Sequence, residues 1–318
     1  MTRETLIDVQ HIYRHYGDTC AVQDVTFQLG KGEVLGFLGP NGAGKSTTMQ
    51  IISGNLAPSA GRVLINGIDI LDDPKRAKAQ LGYLPEQPPL YRDLTVDEYL
   101  AYCARLHRVP RASVRSAVDT AKERCGLKDV GRRLIGNLSK GYQQRVGIAQ
   151  AIIHFPKVVI LDEPTVGLDP IQIREIRALI RELGKEHSVI LSTHILPEVQ
   201  ATCNRVQIIH QGRLVYHDTI EHMAAQMRSS SLLVALRNPP PLAELQALPG
   251  VEAVETAANG RVRLRHAPDH NPAETLVERA VAQGWGLHEL IPEYRSLEQV
   301  FMDLTCGEAP QPTAQEAA

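Results

Sequence analysis

The sequence has little of what several protein classes require. Among its 318 residues it has only five cysteines and one tryptophan, and its formal net charge is −2. The cysteines are widely spaced and form no Cys-x-x-Cys pair, which indicates reduced thiols in a cytoplasm that serve as packing residues. A charge this close to balance gives no general attraction to nucleic acid or to an anionic membrane. We therefore expect no nucleic-acid partner.

Long apolar runs are also missing. The charged N-terminal residues are not followed by a long apolar core, which argues against a secretory signal. The most apolar long stretch, residues 146–161, is interrupted by polar residues and a proline, whereas a membrane span needs about 20 apolar residues. If the protein serves a membrane process, we expect another chain to span the bilayer.

Short apolar runs alternate with longer helical patterns up to about residue 220, which predicts a layered α/β domain. Strands are predicted at 33–38, 158–161 and 188–192, with a hairpin at Gln211-Gly212. Residues 94–133 read as helices with periodic apolar positions, which indicates a helical insertion. We therefore place an α/β domain at residues 4–228, with a helical subdomain at about 87–150.

The pattern begins again after Ser229-Ser230-Ser231. It predicts a strand at 232–236, a helix at 242–248, a hairpin turning at Asn259-Gly260, a helix at 273–282, a strand at 287–291 and a last helix from 297. This order predicts a small α+β domain at 232–304 that is compatible with a ferredoxin-like topology. Residues 305–318 have little to bury and are expected to be a disordered tail.

Arg261, Arg263 and Arg265 alternate along one predicted strand of this second domain. Charges in alternation are typical of a solvated strand face. An RNA-reading sheet would need aromatic residues that stack on bases, and this segment lacks them. We therefore interpret the domain as a dimerisation or regulatory element rather than as an RNA-binding module.

The segment GPNGAGKS, residues 39–46, follows a predicted strand and opens an apolar-periodic helix, the context that a phosphate-binding loop requires. Glycines allow backbone N–H groups to surround a phosphate, Lys45 neutralises the β and γ charges, and the Ser46 hydroxyl can bind Mg²⁺. The residues expected to bind the nucleotide here are Gly39, Pro40, Asn41, Gly42, Ala43, Gly44, Lys45, Ser46 and Thr47.

Residues 158–163, VVILDE, form an apolar run that ends in two carboxylates. The carboxyl end of a buried strand is where phosphates bind in open α/β sheets. We expect Asp162 to hold Mg²⁺, directly or through water, and Glu163 to orient and polarise the attacking water. His194 follows another apolar run, so it is predicted to emerge at the same sheet edge and to reach a γ-phosphate.

The segment LSKGYQQR, residues 138–145, reads as a second helix start with Ser139 as its cap. The first N–H groups of a helix lack intrahelical partners and lie at the positive end of the macrodipole, so this start is also an anion site. Asp169 before Pro170 has a simple explanation as the N-cap of a helix over 170–186, and a second role can coexist with it.

This ordered set of motifs resembles the ATPase subunit of ATP-binding cassette transporters. In the terms of that family, GPNGAGKS matches Walker A, LSKGY the signature, VVILDE Walker B, GLD at 167–169 the D-loop and STH at 192–194 the H-loop. The resemblance covers roughly residues 4–220. It implies a P-loop ATPase core with a helical subdomain, ATP and Mg²⁺ as cofactors, and a homodimer formed around two ATP molecules. A separate transmembrane permease would hold the protein at the cytoplasmic face of the membrane.

The resemblance also implies roles for individual residues. Lys45, Glu163 and His194 would be catalytic, while Ser139, Gly141 and Asp169 would contact nucleotide. Tyr16 would be the aromatic platform for adenine, although core packing is an equal alternative for a tyrosine near the first strands.

The sequence departs from the pattern of the family at two places. The usual glutamine between the core and the helical subdomain falls at Glu86, with Gln87 next, so either residue is a candidate metal sensor beside Ser46 and Asp162. In the signature, Lys140 replaces the middle glycine and Tyr142 the final glutamine.

The motifs are compatible with two broader functions. Residues 82–91, residues 138–145 and the C-terminal extension most resemble exporter-type cassettes, which include multidrug, polysaccharide, gliding-motility and copper-enzyme maturation systems. The alternative is a cassette ATPase that works on nucleic acid or ribosomes. Such proteins usually carry two cassettes or a long coiled-coil insertion, and this sequence has neither, so an ATPase that powers export is the leading hypothesis.

Overall fold

The computed structural model describes residues 4–226, 228–267 and 270–294. The chain divides into two compact units, Met1–Ile220 and Glu221–Ala318. The helix expected from 297 and the tail at 305–318 lie outside the described residues. Within the described ranges, no helix combines the length and the apolar character that crossing a bilayer requires.

Among its described residues, from 4 onward, the first unit contains ten strands and seven complete α-helices. Its strands are β1 (Thr5–Tyr16), β2 (Thr19–Gly30), β3 (Val34–Leu38), β4 (Ala60–Ile65), β5 (Ile68–Asp69), β6 (Leu81–Leu84), β7 (Val158–Asp162), β8 (Ser188–Thr193), β9 (Arg205–His210) and β10 (Arg213–Thr219). Its helices are α1 (Lys45–Ile52), α2 (Pro74–Lys78), α3 (Val96–Leu106), α4 (Val114–Arg124), α5 (Lys140–Ile152), α6 (Pro170–Leu183) and α7 (Leu196–Thr202). A further helix, α8 (Ile220–Gln226), contains the boundary between the units.

A six-stranded sheet in the order β10-β9-β3-β8-β7-β6 forms the centre of this unit. The pairings of β3 with β8 and β9, of β7 with β8, and of β6 with β7 are parallel. Every residue of β3, β7 and β8 is buried, which is why their sequences read as continuous apolar runs. The three predicted central strands are confirmed with small shifts at their ends, and their carboxyl ends meet at one sheet edge.

A second sheet, β2-β1-β4-β5, is antiparallel and shares a hydrophobic core with α1. A separate core cluster joins the helices α3, α4 and α5 to residues of β7 and α6. The helical insertion predicted at 94–133 is confirmed as α3 and α4. The start of α3 is fixed by a capping box between Thr95 and Glu98.

Helix α6 ends at Leu183, three residues before the predicted end at 186. The backbone explains the difference, because Lys185 and Glu186 donate to the carbonyls of Glu182 and Leu183, three residues back instead of four. The last turn is therefore tightened and no longer α-helical. Its start is as predicted, with Asp169 as N-cap and Pro170 as the first helical residue.

The second unit contains β11 (Arg228–Leu236), α9 (Leu242–Gln246), β12 (Val251–Thr256), β13 (Val262–His266), α10 (Ala273–Ala282) and β14 (Leu287–Tyr294). Its sheet has the order β12-β13-β11-β14, and the pairings are antiparallel. This is the split βαβ arrangement of ferredoxin-like folds, so the expected α+β class is confirmed. The turn at Asn259-Gly260 is also found, with Asn259 at φ 61°.

Arg263 and Arg265 on β13, and Arg261 just before this strand, each pair with a glutamate. Arg261 pairs with Glu289 at 2.8 Å, Arg263 with Glu293 at 2.7 Å, and Arg265 with Glu255 at 3.1 Å. These ion pairs agree with the interpretation of this surface as a solvated strand face.

Candidate functional site

The phosphate loop connects β3 to α1 and depends on glycine at two positions. Gly42 has φ 79° and Gly44 has φ 103°, in a region that side chains other than glycine rarely adopt. A Cβ atom on Gly44 would also lie 2.6 Å from the carbonyl oxygen of Ala21. The loop can therefore turn sharply against β2 and direct its N–H groups toward a bound anion at the start of α1.

Lys45 is buried at the centre of this loop. Its Nζ donates to the carbonyl oxygens of Gly39 at 2.9 Å and Pro40 at 3.2 Å. The same ammonium lies 3.2 Å from Oε1 of Glu163. The loop thus positions one buried positive charge beside the carboxylate that ends the Walker B segment.

Glu163 directly follows β7 and has φ 48°, an uncommon value for a residue with a side chain. Its backbone N–H donates to the carbonyl of Ser192 at 2.8 Å, which fixes it against the end of β8. Nδ1 of His194 lies 2.9 Å from Glu163 Oε2 and 3.1 Å from Oε1. The structure therefore brings together the three residues predicted to be catalytic.

Asp162 is the last residue of β7 and is almost fully buried. Burial raises the pKa of its carboxyl group. Its Oδ1 has no hydrogen-bond partner in the described part of the chain. A buried carboxylate oxygen without a partner is a fitting ligand for a hard cation.

Lys45, Glu163 and His194 line a cavity of about 350 Å³, whereas the buried Asp162 is not one of its lining residues. Its lining residues are Ala21, Asn41, Gly42, Gly44, Lys45, Ser46, Thr47, Glu86, Glu163, Val166 and His194. Glu86 is one of them, whereas Gln87 is not. Gly39, Pro40 and Ala43 do not line the cavity; Gly39 and Pro40 accept from Lys45, and Pro40 also accepts the N–H of Ala43 at 3.2 Å.

Tyr16 lies at the end of β1 and is 48% exposed. The guanidinium of Arg14 lies 4.8 Å from the centroid of its ring. This exposure contradicts the alternative in which Tyr16 packs in the core, and it leaves the ring accessible to a flat ligand.

The remaining predicted ligands, Ser139, Gly141 and Asp169, do not line this cavity. Ser139 is the exposed N-cap of α5, and Gly141 packs so closely on Gln172 that a Cβ atom would lie 2.6 Å from Gln172 Cδ. Asp169 caps α6, where its Oδ1 accepts the N–H groups of Ile171 and Gln172 at 2.9 Å. The predicted site is therefore divided into two separate groups of residues.

Two lining residues were not predicted from the sequence. Ala21 reaches the cavity because β2 passes beside the phosphate loop, and Val166 because the chain turns back after Glu163. Neither residue type suggests nucleotide chemistry, so only the tertiary structure identifies them.

Comparison with known proteins agrees with this geometry. The family model described as "ABC transporter" matches residues 22–166. The ABC transporter ATP-binding protein NatA of Bacillus subtilis is 39% identical over 67% of this chain and 87% of its own length. The bacitracin transport ATP-binding protein BcrA of Bacillus licheniformis is 36% identical, over 70% of this chain and 73% of its own. A solved structure of an ATP-binding subunit of an ABC transporter superposes with a TM-score of 0.63 at 33% identity, covering 70% of this chain and 92% of that one.

Proposed function

Because this chain belongs to the ATP-binding subunits of ABC transporters, which are ATPases, we propose that it hydrolyses Mg²⁺-ATP as a sandwich dimer and powers a separate export permease. The observation that supports the dimer is the division of the site into two groups. Lys45, Glu163 and His194 face one cavity, whereas Ser139 lies elsewhere on the same chain. A partner subunit can bring its own Ser139 to this cavity.

The cavity residues have complementary roles in hydrolysis. The glycine-rich loop and Lys45 bind the phosphates, and the phosphate charge competes with Glu163 for the ammonium. Glu163 then accepts a proton from the attacking water, while His194 holds the carboxylate and contacts the γ-phosphate. Tyr16 is not among the residues that line the cavity, and its exposed ring would stack on adenine beside it.

The oxygen donors at this edge fit a magnesium ion. Ser46 lines the cavity, and Asp162 offers a buried carboxylate oxygen that has no partner in the described residues. When bound, the ion would neutralise phosphate charge. Since Glu86 lines the cavity and Gln87 does not, Glu86 is the better candidate for the sensing role.

The second group of residues suits a nucleotide held by the partner. Ser139 is exposed at the N-terminus of α5, where free N–H groups attract a γ-phosphate. Gly141 lets the start of α5 pack against α6, and Asp169 caps α6 beside it. Two chains packed head to tail would then bind two ATP molecules between Lys45 of one chain and Ser139 of the other.

The permease would bind at the segment between β6 and α3, at the cytoplasmic face of the membrane. Tyr91 is 55% exposed and Tyr102 is 39% exposed, and their rings meet edge to face with centroids 5.7 Å apart. The Tyr99 hydroxyl donates to the carbonyl of Pro89 at 3.0 Å, which holds this segment on α3. Exposed tyrosines are typical of protein interfaces, and Glu86 at the start of the segment faces the nucleotide cavity.

The domain predicted at 232–304 would regulate the complex or aid dimerisation.

We expect a photo-reactive amino acid at Tyr91 to cross-link to the cytoplasmic loops of the permease in membranes. The same amino acid at Val281, an exposed position on α10, serves as the matched control and is expected to give no such product. The measurement is mass spectrometry of the cross-linked peptides. A permease cross-link from Val281 and none from Tyr91 would contradict this docking site.

We expect Lys45→Ala to weaken ATP binding by about 10- to 100-fold, because a buried ammonium that hydrogen-bonds phosphate is lost. Binding of a fluorescent ATP analogue measures the change. Lys31→Ala removes a lysine whose side chain is mostly exposed and pairs with Glu4 at 3.4 Å, so it is expected to bind ATP like the wild type. A Lys45→Ala variant that is folded by circular dichroism and keeps wild-type affinity would contradict the role of Lys45.

A further inference from the structure

Glu198 of α7 is a buried carboxylate outside the motifs described above. Its side chain is only 1% exposed, yet it contacts three different elements. The hydroxyl of Thr165 donates to Oε1 at 2.5 Å, and the hydroxyl of Thr193 donates to Oε2 at 2.9 Å. Nη2 of Arg177 on α6 lies 3.6 Å from Oε1. One side chain therefore joins the loop after β7, the end of β8 and α6.

Thr193 fixes the backbone on both sides of His194. It immediately precedes the histidine, and its hydroxyl accepts the N–H of Ile195 at 3.1 Å while it donates to Glu198. Movement of Glu198 would therefore change the position from which the imidazole reaches Glu163.

Thr165 lies two residues after Glu163 and is the second threonine that donates to Glu198. The loop over residues 163–168 is held by hydrogen bonds from the N–H of Val166 to the Glu163 carbonyl at 3.3 Å and from the N–H of Leu168 to the Thr165 carbonyl at 3.2 Å. Glu163 itself has the unfavourable φ of 48°, and such a conformation persists only where neighbouring contacts hold it. The hydrogen bond from Thr165 to Glu198 is one of these contacts.

We propose that Glu198 is a positioning residue for ATP hydrolysis, which sets the Glu163–His194 geometry through Thr165 and Thr193. It also connects this pair through Arg177 to α6, the helix that Asp169 caps. The proposal rests on the roles of Glu163 and His194 given under the proposed function. It does not require Glu198 to contact ATP, and Glu198 is not among the residues that line the cavity.

The test uses substitutions that each remove one of the hydrogen bonds that Glu198 accepts from Thr165 and Thr193. Thr165→Val and Thr193→Val delete a hydroxyl at nearly constant volume, whereas Thr165→Ser and Thr193→Ser keep it. We expect each valine variant and Glu198→Gln to lower kcat by about tenfold with KM for ATP little changed, because a small misplacement of the catalytic groups affects the chemical step. The serine variants should keep most of the wild-type kcat.

A double-mutant cycle tests whether the threonines act through Glu198. In the Glu198→Gln background, either valine substitution is expected to lower kcat less than it does in the wild-type chain. Fully additive losses would contradict the proposal, because they would mean that each hydroxyl acts independently of Glu198.

Glu33→Gln is the matched control for a loss of stability alone. Glu33 is also buried and pairs with an arginine, with Arg205 Nη1 at 2.9 Å from Oε2, but it precedes β3 at the opposite edge of the sheet. We expect Glu33→Gln to lower the melting temperature and to leave kcat unchanged. If Glu198→Gln behaves in the same way, or if it changes KM but not kcat, the proposal is wrong.

A failure of the positioning role of Glu198 can be distinguished from a failure of the proposed function. If Glu163→Gln leaves turnover unchanged, the assignment of the catalytic residues fails. If Glu163→Gln stops turnover but the Glu198, Thr165 and Thr193 variants retain wild-type kcat, only the positioning role is overturned.

Discussion

Glu163→Gln is expected to slow ATP turnover by about 10²- to 10⁴-fold, the range that a positioned general base contributes. An amide cannot accept the proton of the attacking water, although it has nearly the same shape as the carboxylate. Binding should be kept or strengthened, because Glu163 lies 3.2 Å from Lys45 and would no longer compete with phosphate as an anion. ATP would therefore be trapped on the protein.

Single-turnover hydrolysis and equilibrium ATP binding measure the two effects separately. Glu175→Gln is the matched control, since Glu175 is half-exposed on α6 and pairs with Arg145 at 2.5 Å, away from the cavity. It is expected to keep wild-type turnover. Unimpaired turnover in Glu163→Gln would show that another group activates the water.

The central strands could be predicted from the sequence because their burial is complete. A strand buried on both faces needs apolar residues at every position, so β7 and β8 read as continuous runs with polar residues where they end. The phosphate loop could be predicted for a different reason, since Gly42 and Gly44 occupy backbone conformations that glycine adopts most readily. Both signals are local in the chain.

The parts that the sequence left open depend on tertiary contacts. Whether Tyr16 packs in the core or faces solvent is decided by the position of the β1–β2 hairpin, and the structure leaves it 48% exposed. The choice between Glu86 and Gln87 depends on which of two adjacent side chains faces the cavity. Local periodicity cannot distinguish these outcomes.

The burial of Glu198 also depends on tertiary contacts that the sequence does not predict. Its partner Thr165 lies 33 positions earlier in the chain, and the pair meets because β7 and β8 are neighbours in a parallel sheet. A glutamate on a short helix reads in the sequence as a solvent-exposed residue. Only the packing of α7 on the strand ends shows that this carboxylate is buried.

The sandwich arrangement makes an all-or-none prediction about where nucleotide binds. In the Glu163→Gln background, one chain carries Lys45→Ala and its partner carries Ser139→Arg. If each ATP lies between Lys45 of one chain and Ser139 of the other, both lesions fall in the same site and the second site is intact. If each chain used its own Lys45 and Ser139, both sites would be damaged.

A second heterodimer carries the same two substitutions on a single chain and is expected to give the opposite result. When Lys45→Ala and Ser139→Arg are placed together on one chain, opposite an otherwise unmutated Glu163→Gln chain, shared sites are both damaged and unshared sites leave one intact. The two heterodimers contain the same substitutions, so differences in folding or charge cannot produce opposite results.

The most direct test of the account is the count of ATP molecules trapped per dimer in these two heterodimers, with the doubly competent Glu163→Gln homodimer as reference. The shared-site arrangement predicts about two ATP for the reference, about one when the lesions are on different chains, and about none when they are on the same chain, because only an intact pair of motifs retains nucleotide. The reverse order for the two heterodimers would contradict it and would mean that each chain binds ATP with its own Lys45 and Ser139.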